Sequence, residues 1–184
     1  MTPPRTAGFT LIELMIGLAI AALLVVLALP SYQVWIADAQ IRNAAESIAS
    51  GMRFAQSQAV ARNSTIEFVL NPIAGTGGWT AEQIDRVTCG IVGTPLESAT
   101  FQEGANLAAF AALPAGATKV QFSSLGVIDA TPCDGSATLT QVQITSGTGV
   151  AGARDLNVLV GGGRTGIKIC DPKWPATDPK GCPP

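Results

Sequence analysis

The sequence predicts an α+β protein. A long N-terminal helix, membrane-spanning in its first half and amphipathic in its second, packs on an antiparallel β domain. Three observations predict it. Residues 14–37 carry no charge and are dense in Leu, Ile, Val and Ala. Beyond them, no proline occurs between Pro30 and Pro72, and an apolar stripe recurs at helical spacing. After Ser64 the pattern changes to short runs of Val, Ile and Thr separated by Gly, Pro and Ser.

The apolar stretch explains part of an unusual composition. Of 184 residues, 47% are hydrophobic and only 13% charged, below the quarter or so common in soluble domains. About 20 apolar residues as a helix cross the hydrocarbon core of a bilayer. Gly17 does not prevent this, because membrane helices tolerate glycine. Residues 1–8 precede the stretch as a short polar leader whose only charged side chain is Arg5. A positive leader places the N-terminus in the cytoplasm and exports the remainder. A cleaved secretory signal fits poorly. The apolar run is too long, and Pro30, Ser31, Tyr32 and Gln33 make no small-x-small cleavage site.

Ile41, Ala45, Ile48, Met52, Ala55 and Ala59 alternate spacings of four and three, which lines one face of a helix. Arg42, Glu46, Arg53 and Ser57 fall on the other side. A helix over 9–62 would extend roughly 80 Å at 1.5 Å per residue, less any kink at Pro30. Asn63 and Ser64 end the pattern.

The β-like runs are residues 65–70, 86–92, 118–122, 138–144, 156–160 and 167–170. Strict alternation sets Val142 with Ile144 on one face, and Leu156, Val158 and Val160 likewise. The intervening loops are long, notably 71–78 and 94–116. The second holds an apolar run, 107–113, for which a helical turn and an edge segment both remain open.

The chemistry of the chain points away from catalysis. With no histidine, a Ser-His-Asp triad and a Cys-His pair are both impossible. The glycines at 161–166 formally contain GxGxxG, but no helix follows and Pro172 interrupts. Asp129 and Asp134 read as solvated turn residues. The chain is therefore expected to be no enzyme, with no cofactor and no metal. Cys89, Cys133, Cys170 and Cys182 form no CxxC pair, so zinc is a weak case, and an exported domain favours two disulfides. Four cysteines allow three connectivities. The short, proline-rich spacing from Cys170 to Cys182 favours a closed tail loop, leaving Cys89 with Cys133. The overall charge of −2 says little about partners. Acids dominate 64–153 and bases dominate 154–184.

Glu13 is the odd residue of the apolar run. An unpaired carboxylate in hydrocarbon costs roughly 2.5–3.5 kcal/mol, so it calls for a partner. Cleavage after Gly8 would make the amine of Phe9 that partner, four residues away on one helix face. The run Gly8, Phe9, Thr10, Leu11, Ile12, Glu13, Leu14 and Met15 resembles the class III signal of type IV pilins and type II secretion pseudopilins. That resemblance implies a prepilin peptidase that cuts after Gly8 and methylates Phe9. It also implies assembly through Glu13 and a helix kink at Pro30. It divides the chain into a leader (1–8), a transmembrane assembly helix (9–36), an amphipathic helix (37–63) and a periplasmic β-rich domain with a disulfide-bounded tail (64–184).

Further pieces resemble the H-type pseudopilin and FimT/FimU minor-pilin branch: Gly78 with Trp79, Val120 to Phe122 with Gly126, and Gly163 with Arg164. The ending from Cys170, Asp171 and Pro172 to Cys182 is similar to the tail of pilus-type members. The resemblance implies a subunit of a type IV pilus or a type II secretion system that sits once through the bacterial inner membrane before entering a periplasm-spanning filament. Its partners would be the prepilin peptidase, other pilins or pseudopilins, the inner-membrane assembly platform and inner-membrane lipid. The alternative is a FimT-like, DNA-binding minor pilin for natural transformation, with Arg164, Lys168, Lys173 and Lys180 as candidates. Gly166 stands where the second arginine of the FimT-like GRxR motif belongs, so DNA ranks below the filament partners.

Overall fold

The structure, a computed structural model, describes residues 10–73, 77–101, 104–147, 149–162 and 166–183. Its first element is α1 (Leu11–Arg62). Thr10 caps it in an extended conformation, its hydroxyl accepting the Glu13 N–H at 3.3 Å. Asn63 ends it at φ 49°, a left-handed conformation that asparagine tolerates better than most residues. The Ser64 N–H then closes on the Ala59 carbonyl at 3.1 Å. Pro30 lies inside α1 and removes one rung of its ladder, yet the helix continues through it. The Ser31 hydroxyl donates to the Ala28 carbonyl at 2.9 Å beside that gap.

The strands are β1 (Thr65–Asn71), β2 (Gly78–Ile84), β3 (Glu97–Thr100), β4 (Ala108–Leu113), β5 (Lys119–Phe122), β6 (Gln141–Ser146), β7 (Leu156–Gly162) and β8 (Gly166–Cys170). They form two four-stranded sheets, ordered β3-β2-β1-β5 and β4-β6-β7-β8. Every pairing within these sheets is antiparallel. The second half of α1 covers both sheets and supplies the core.

The expected helical stripe is the buried one. Ile41, Ala45, Ile48, Met52, Ala55 and Ala59 are each at most 1% exposed, while Arg42, Glu46, Arg53 and Ser57 are exposed. Each fully buried Ile or Met side chain contributes about 1.5–3 kcal/mol. The alanines add little area but let the helix approach the sheets closely. Gly51 takes this furthest. A Cβ there would lie 2.6–2.7 Å from three ring carbons of Trp79, so only glycine lets the indole lie against the helix. The Trp79 Nε1–H donates to the Ser47 hydroxyl at 3.0 Å, and its ring stacks on Phe68. Val142 and Ile144 face inward as their alternation required, with Val158 and Val160, while Leu156 is half-buried against the same core.

Two expectations for the β region need correction. Residues 86–92 form no strand. The Asp85 carboxylate accepts the Val87 and Thr88 N–H groups at 2.8 and 2.9 Å, and Cys89 sits at φ 56°. A side chain that captures the following amides turns the chain despite its Val, Thr and Ile content. Only a single bridge, Ile84 to Ile91, remains there. The long loop 94–116 instead holds two strands. β3 extends the first sheet along β2, and the run 107–113 is the edge strand β4 beside β6. The rings of Phe101 and Phe110 stack at 4.3 Å and tie the two together.

Candidate assembly surface and processing site

The first half of α1 is predominantly apolar and is exposed from Leu11 to Gln33. Leu11 is 78% exposed and Leu27 69%, and among the described residues none before Ala37 is buried. Among the described residues this is the one helix long and apolar enough to cross a membrane. Glu13 is exposed at the third helical position, in the first turn, where a carboxylate also complements the positive end of the helix dipole. Gly8 and Phe9 lie outside the described residues. At the far end of the apolar half, Tyr32 and Trp35 are exposed and stacked, with ring centroids 6.0 Å apart.

In the structure the four cysteines form two pairs. Cys170 joins Cys182 with a Cα–Cα distance of 5.0 Å, and Cys89 joins Cys133 at 5.7 Å. The first bridge folds the tail back over the second sheet. The Asp171 N–H donates to the Lys180 carbonyl at 2.8 Å, and Asp171 and Gly181 bridge in parallel. Asp171 is 5% exposed, its carboxylate meeting the Lys173 N–H at 2.9 Å and the Arg154 guanidinium at 3.4 Å. Asn157, on the outward face of β7, is covered by the tail and meets Cys182 Sγ at 3.7 Å.

Three of the four cations considered for DNA contact the protein itself. Lys168 Nζ donates to the Gly181 carbonyl at 2.9 Å. Lys173 Nζ reaches the Ala153 carbonyl at 3.4 Å and Asp155 at 3.9 Å. Lys180 sits over the Trp174 ring, 5.4 Å from its centre. Arg164 lies outside the described residues.

A second polar cluster stands under Cys133. Glu67 on β1 lies opposite Gln121 on β5 and accepts from its side-chain amide at 2.7 Å. The Gln121 carbonyl oxygen accepts the Cys133 N–H at 3.0 Å. Lys119 completes the cluster, 3.2 Å from Glu67 and 3.0 Å from Asp134. Burial works against the Lys119 ammonium, but its bonds to Asp134 and Glu67 outweigh this and raise it above its ordinary value. Hydrogen bonding from Ser136, with Lys119 behind it, lowers Asp134 to about 2. The cluster fastens the Cys133 loop to the sheet; none of these groups faces a reactive partner. Among the described residues no group of acids or cysteines could hold a metal ion.

The family described as "Type II transport protein GspH" matches residues 44–163, which takes in most of the buried part of α1 and strands β1 to β7. The chain belongs to the GspH family. The prokaryotic N-terminal methylation motif matches residues 3–29, which takes in most of the exposed part of α1. Together they make this a member of the type IV pilin and pseudopilin group, whose proteins are structural subunits. The tail closed by Cys170 and Cys182 lies beyond the GspH match. Two crystal structures of the Pseudomonas aeruginosa (strain PAO1) type IV minor pilin FimU are similar. The one in space group P21 is 18% identical, covers 75% of this chain and 90% of that chain, and has a TM-score of 0.47. The one in space group P65 is 17% identical, with 70% and 90% covered and a TM-score of 0.46. No curated protein matches the chain.

Sequence reasoning missed the contact of Trp79, Gly51 and Ser47 and the cluster of Glu67, Gln121 and Lys119. For the first, a usable signal existed: a glycine in an otherwise alanine-rich stripe marks a close approach. For the second, the signal was polar residues at alternate positions of two paired strands.

Proposed function

We propose that this chain is a minor subunit of a type IV pilus. Prepilin peptidase cuts it after Gly8 and methylates Phe9. Residues 9–36 then hold it in the inner membrane with residues 64–184 in the periplasm, and the subunit passes through the assembly platform into a filament of related pilins. The observation that carries this reading is the division of one helix into two halves. Residues 11–33 are exposed and, Glu13 and the short run 31–33 apart, apolar, whereas the buried stripe from Ala37 onward is fully used by the domain. A helix built this way has a lateral surface to offer to lipid or to other helices without unfolding anything.

Glu13 supplies the polar term. In hydrocarbon its carboxylate is stabilised by a cation, and the amine of a cleaved Phe9 is one, in its own chain or a neighbour's. The disulfide-bounded tail favours the pilus over a type II secretion system.

Mass spectrometry of protein from its native membrane tests the reading. The expected product starts at N-methylated Phe9. An intact Met1, or a cut beyond Pro30, would refute it. In the same system Glu13→Leu is expected to leave insertion and cleavage intact while the subunit drops out of the filament fraction. Mutant subunits in filaments at wild-type level would remove the role given to Glu13.

A further inference from the structure

We propose that the underside of the β domain, formed by Leu107 and residues 149–153, rests in the phospholipid headgroup layer while the subunit is in the membrane. This builds on the membrane-anchored reading above. The depth of the helix follows from its length. From Leu11 to Tyr32 the helix rises about 31 Å at 1.5 Å per residue, close to the roughly 30 Å hydrocarbon core. Tyr32 and Trp35, exposed and stacked, stand where aromatic side chains collect at a membrane interface. The outer headgroup layer then spans about the next turn of α1, about 5–7 Å per leaflet.

The domain reaches down into that interval. Gln33 and Ile36 of the helix and Leu107 and Val150 of the domain line one recess of about 370 Å³. A Cβ on Gly152 would lie 4.0 Å from the Val34 side chain, so this loop is level with the aromatic pair. Two bonds fasten the underside to α1. Asp38 accepts the Arg154 N–H at 2.7 Å, and Gln40 accepts the Leu107 N–H at 2.8 Å.

The composition of the loop suits the environment. Gly149, Val150, Ala151, Gly152 and Ala153 carry no polar side chain, although Gly149, Ala151 and Gly152 are exposed. Entry of these five residues into a half-dehydrated layer therefore desolvates no side-chain charge or hydrogen-bonding group of their own. Of the ionic groups just above, Arg154 pairs with Asp171 and Lys173 with Asp155, while the Asp38 carboxylate accepts the Arg154 backbone N–H. No excess positive charge faces the lipid, so contact does not require anionic headgroups. The partner is the common phosphocholine or phosphoethanolamine surface.

The test is photo-crosslinking of the full chain in nanodiscs of zwitterionic phospholipid. Trp35, Val150, Ala151 and Leu125 are replaced, one at a time, by a benzophenone amino acid. Ala151 is exposed, so its variant probes the same surface without disturbing packing. Leu125, 82% exposed, lies beside Val60, about 37 Å along the helix from Trp35. Lipid adducts are expected at 35, 150 and 151 and not at 125, with at least a tenfold difference in yield between 151 and 125. Adducts at 35 without any at 150 and 151 would overturn the proposal and leave the anchor intact. No adduct at 35 would instead overturn the membrane reading on which it rests.

Discussion

Gly51→Ala should destabilise the protein even though alanine is the better helix former. The added Cβ would stand 2.6–2.7 Å from carbons of the Trp79 ring, where an ordinary carbon contact is about 3.5–4.0 Å. Helix and ring must therefore part by about 1 Å. The ring cannot yield freely. It is 5% exposed, hydrogen-bonded to Ser47 at 3.0 Å and stacked on Phe68 at 5.7 Å. Overpacking of this kind costs about 1–3 kcal/mol. Alanine returns about 0.5–1 kcal/mol through its helix propensity. The net loss is up to about 2.5 kcal/mol, which for a chain of this size lowers the midpoint of thermal unfolding by up to about 10 °C.

The assay is urea or thermal unfolding of the full chain in mild detergent, repeated in a Trp79→Leu background. There the clash is gone, and Gly51→Ala should become neutral or stabilising by up to about 1 kcal/mol. The coupling between the two positions should then exceed about 1 kcal/mol, as expected of residues in contact. A higher midpoint for Gly51→Ala in the wild-type background would refute the packing argument. So would an equal loss in both backgrounds.

Non-reducing peptide mapping should recover a Cys170–Cys182 peptide. Replacing both by serine removes a cross-link worth roughly 3 kcal/mol in the chain-entropy description and should speed amide exchange across the tail, whereas a Cys133–Cys170 peptide would contradict the fold. Asp134 titrates near 2 in the fold, below its ordinary 3.8, so its contribution is present above about pH 4 and fades as pH falls towards 2. The stability gap between the wild type and Asp134→Asn should therefore close between pH 5 and pH 2, and a gap that widens on acidification would reverse the sign of the argument. Gel-shift titration at physiological salt should show no micromolar DNA binding, because Lys168, Lys173 and Lys180 are held by Gly181, Asp155 and Trp174. Tight binding abolished by Arg164→Ala would make the DNA-receptor reading the better one.

What the sequence disclosed depended on how local each signal was. The helix was legible because its stripe obeys one period over five turns, and the processing motif because its residues are contiguous. β2 escaped because its seven residues, Gly78 to Ile84, mix Trp, Thr, Glu and Gln and alternate poorly; its place is set by pairing with β1 along the whole strand. β3 is Glu, Ser, Ala and Thr, with no apolar signal, and exists as an edge on β2. β4 is rich in alanine, a weak strand former, and is held by β6. Residues 86–92 erred in the other direction: their composition suits a strand, but one side chain, Asp85, takes the amides a strand would need. The close fit of Trp79 on Gly51 joins positions far apart in sequence and leaves no periodic trace.

The division of α1 also accounts for how such a subunit could change surroundings without refolding. Its β domain carries its own core, completed by the stripe from Ala37 to Ala59 and closed by two disulfides. Nothing in that core depends on what covers residues 11–36. Lipid tails and the apolar helices of other subunits are near-equivalent solvents for Leu, Ile and Val, so exchanging one for the other is governed by close packing and by polar groups rather than by hydrophobic transfer. Glu13 is the only charged side chain among those residues, and hence the only one whose free energy changes strongly with the nearest cation. The apolar surface would make the helix portable, and the single carboxylate would decide where along a neighbouring helix it stops.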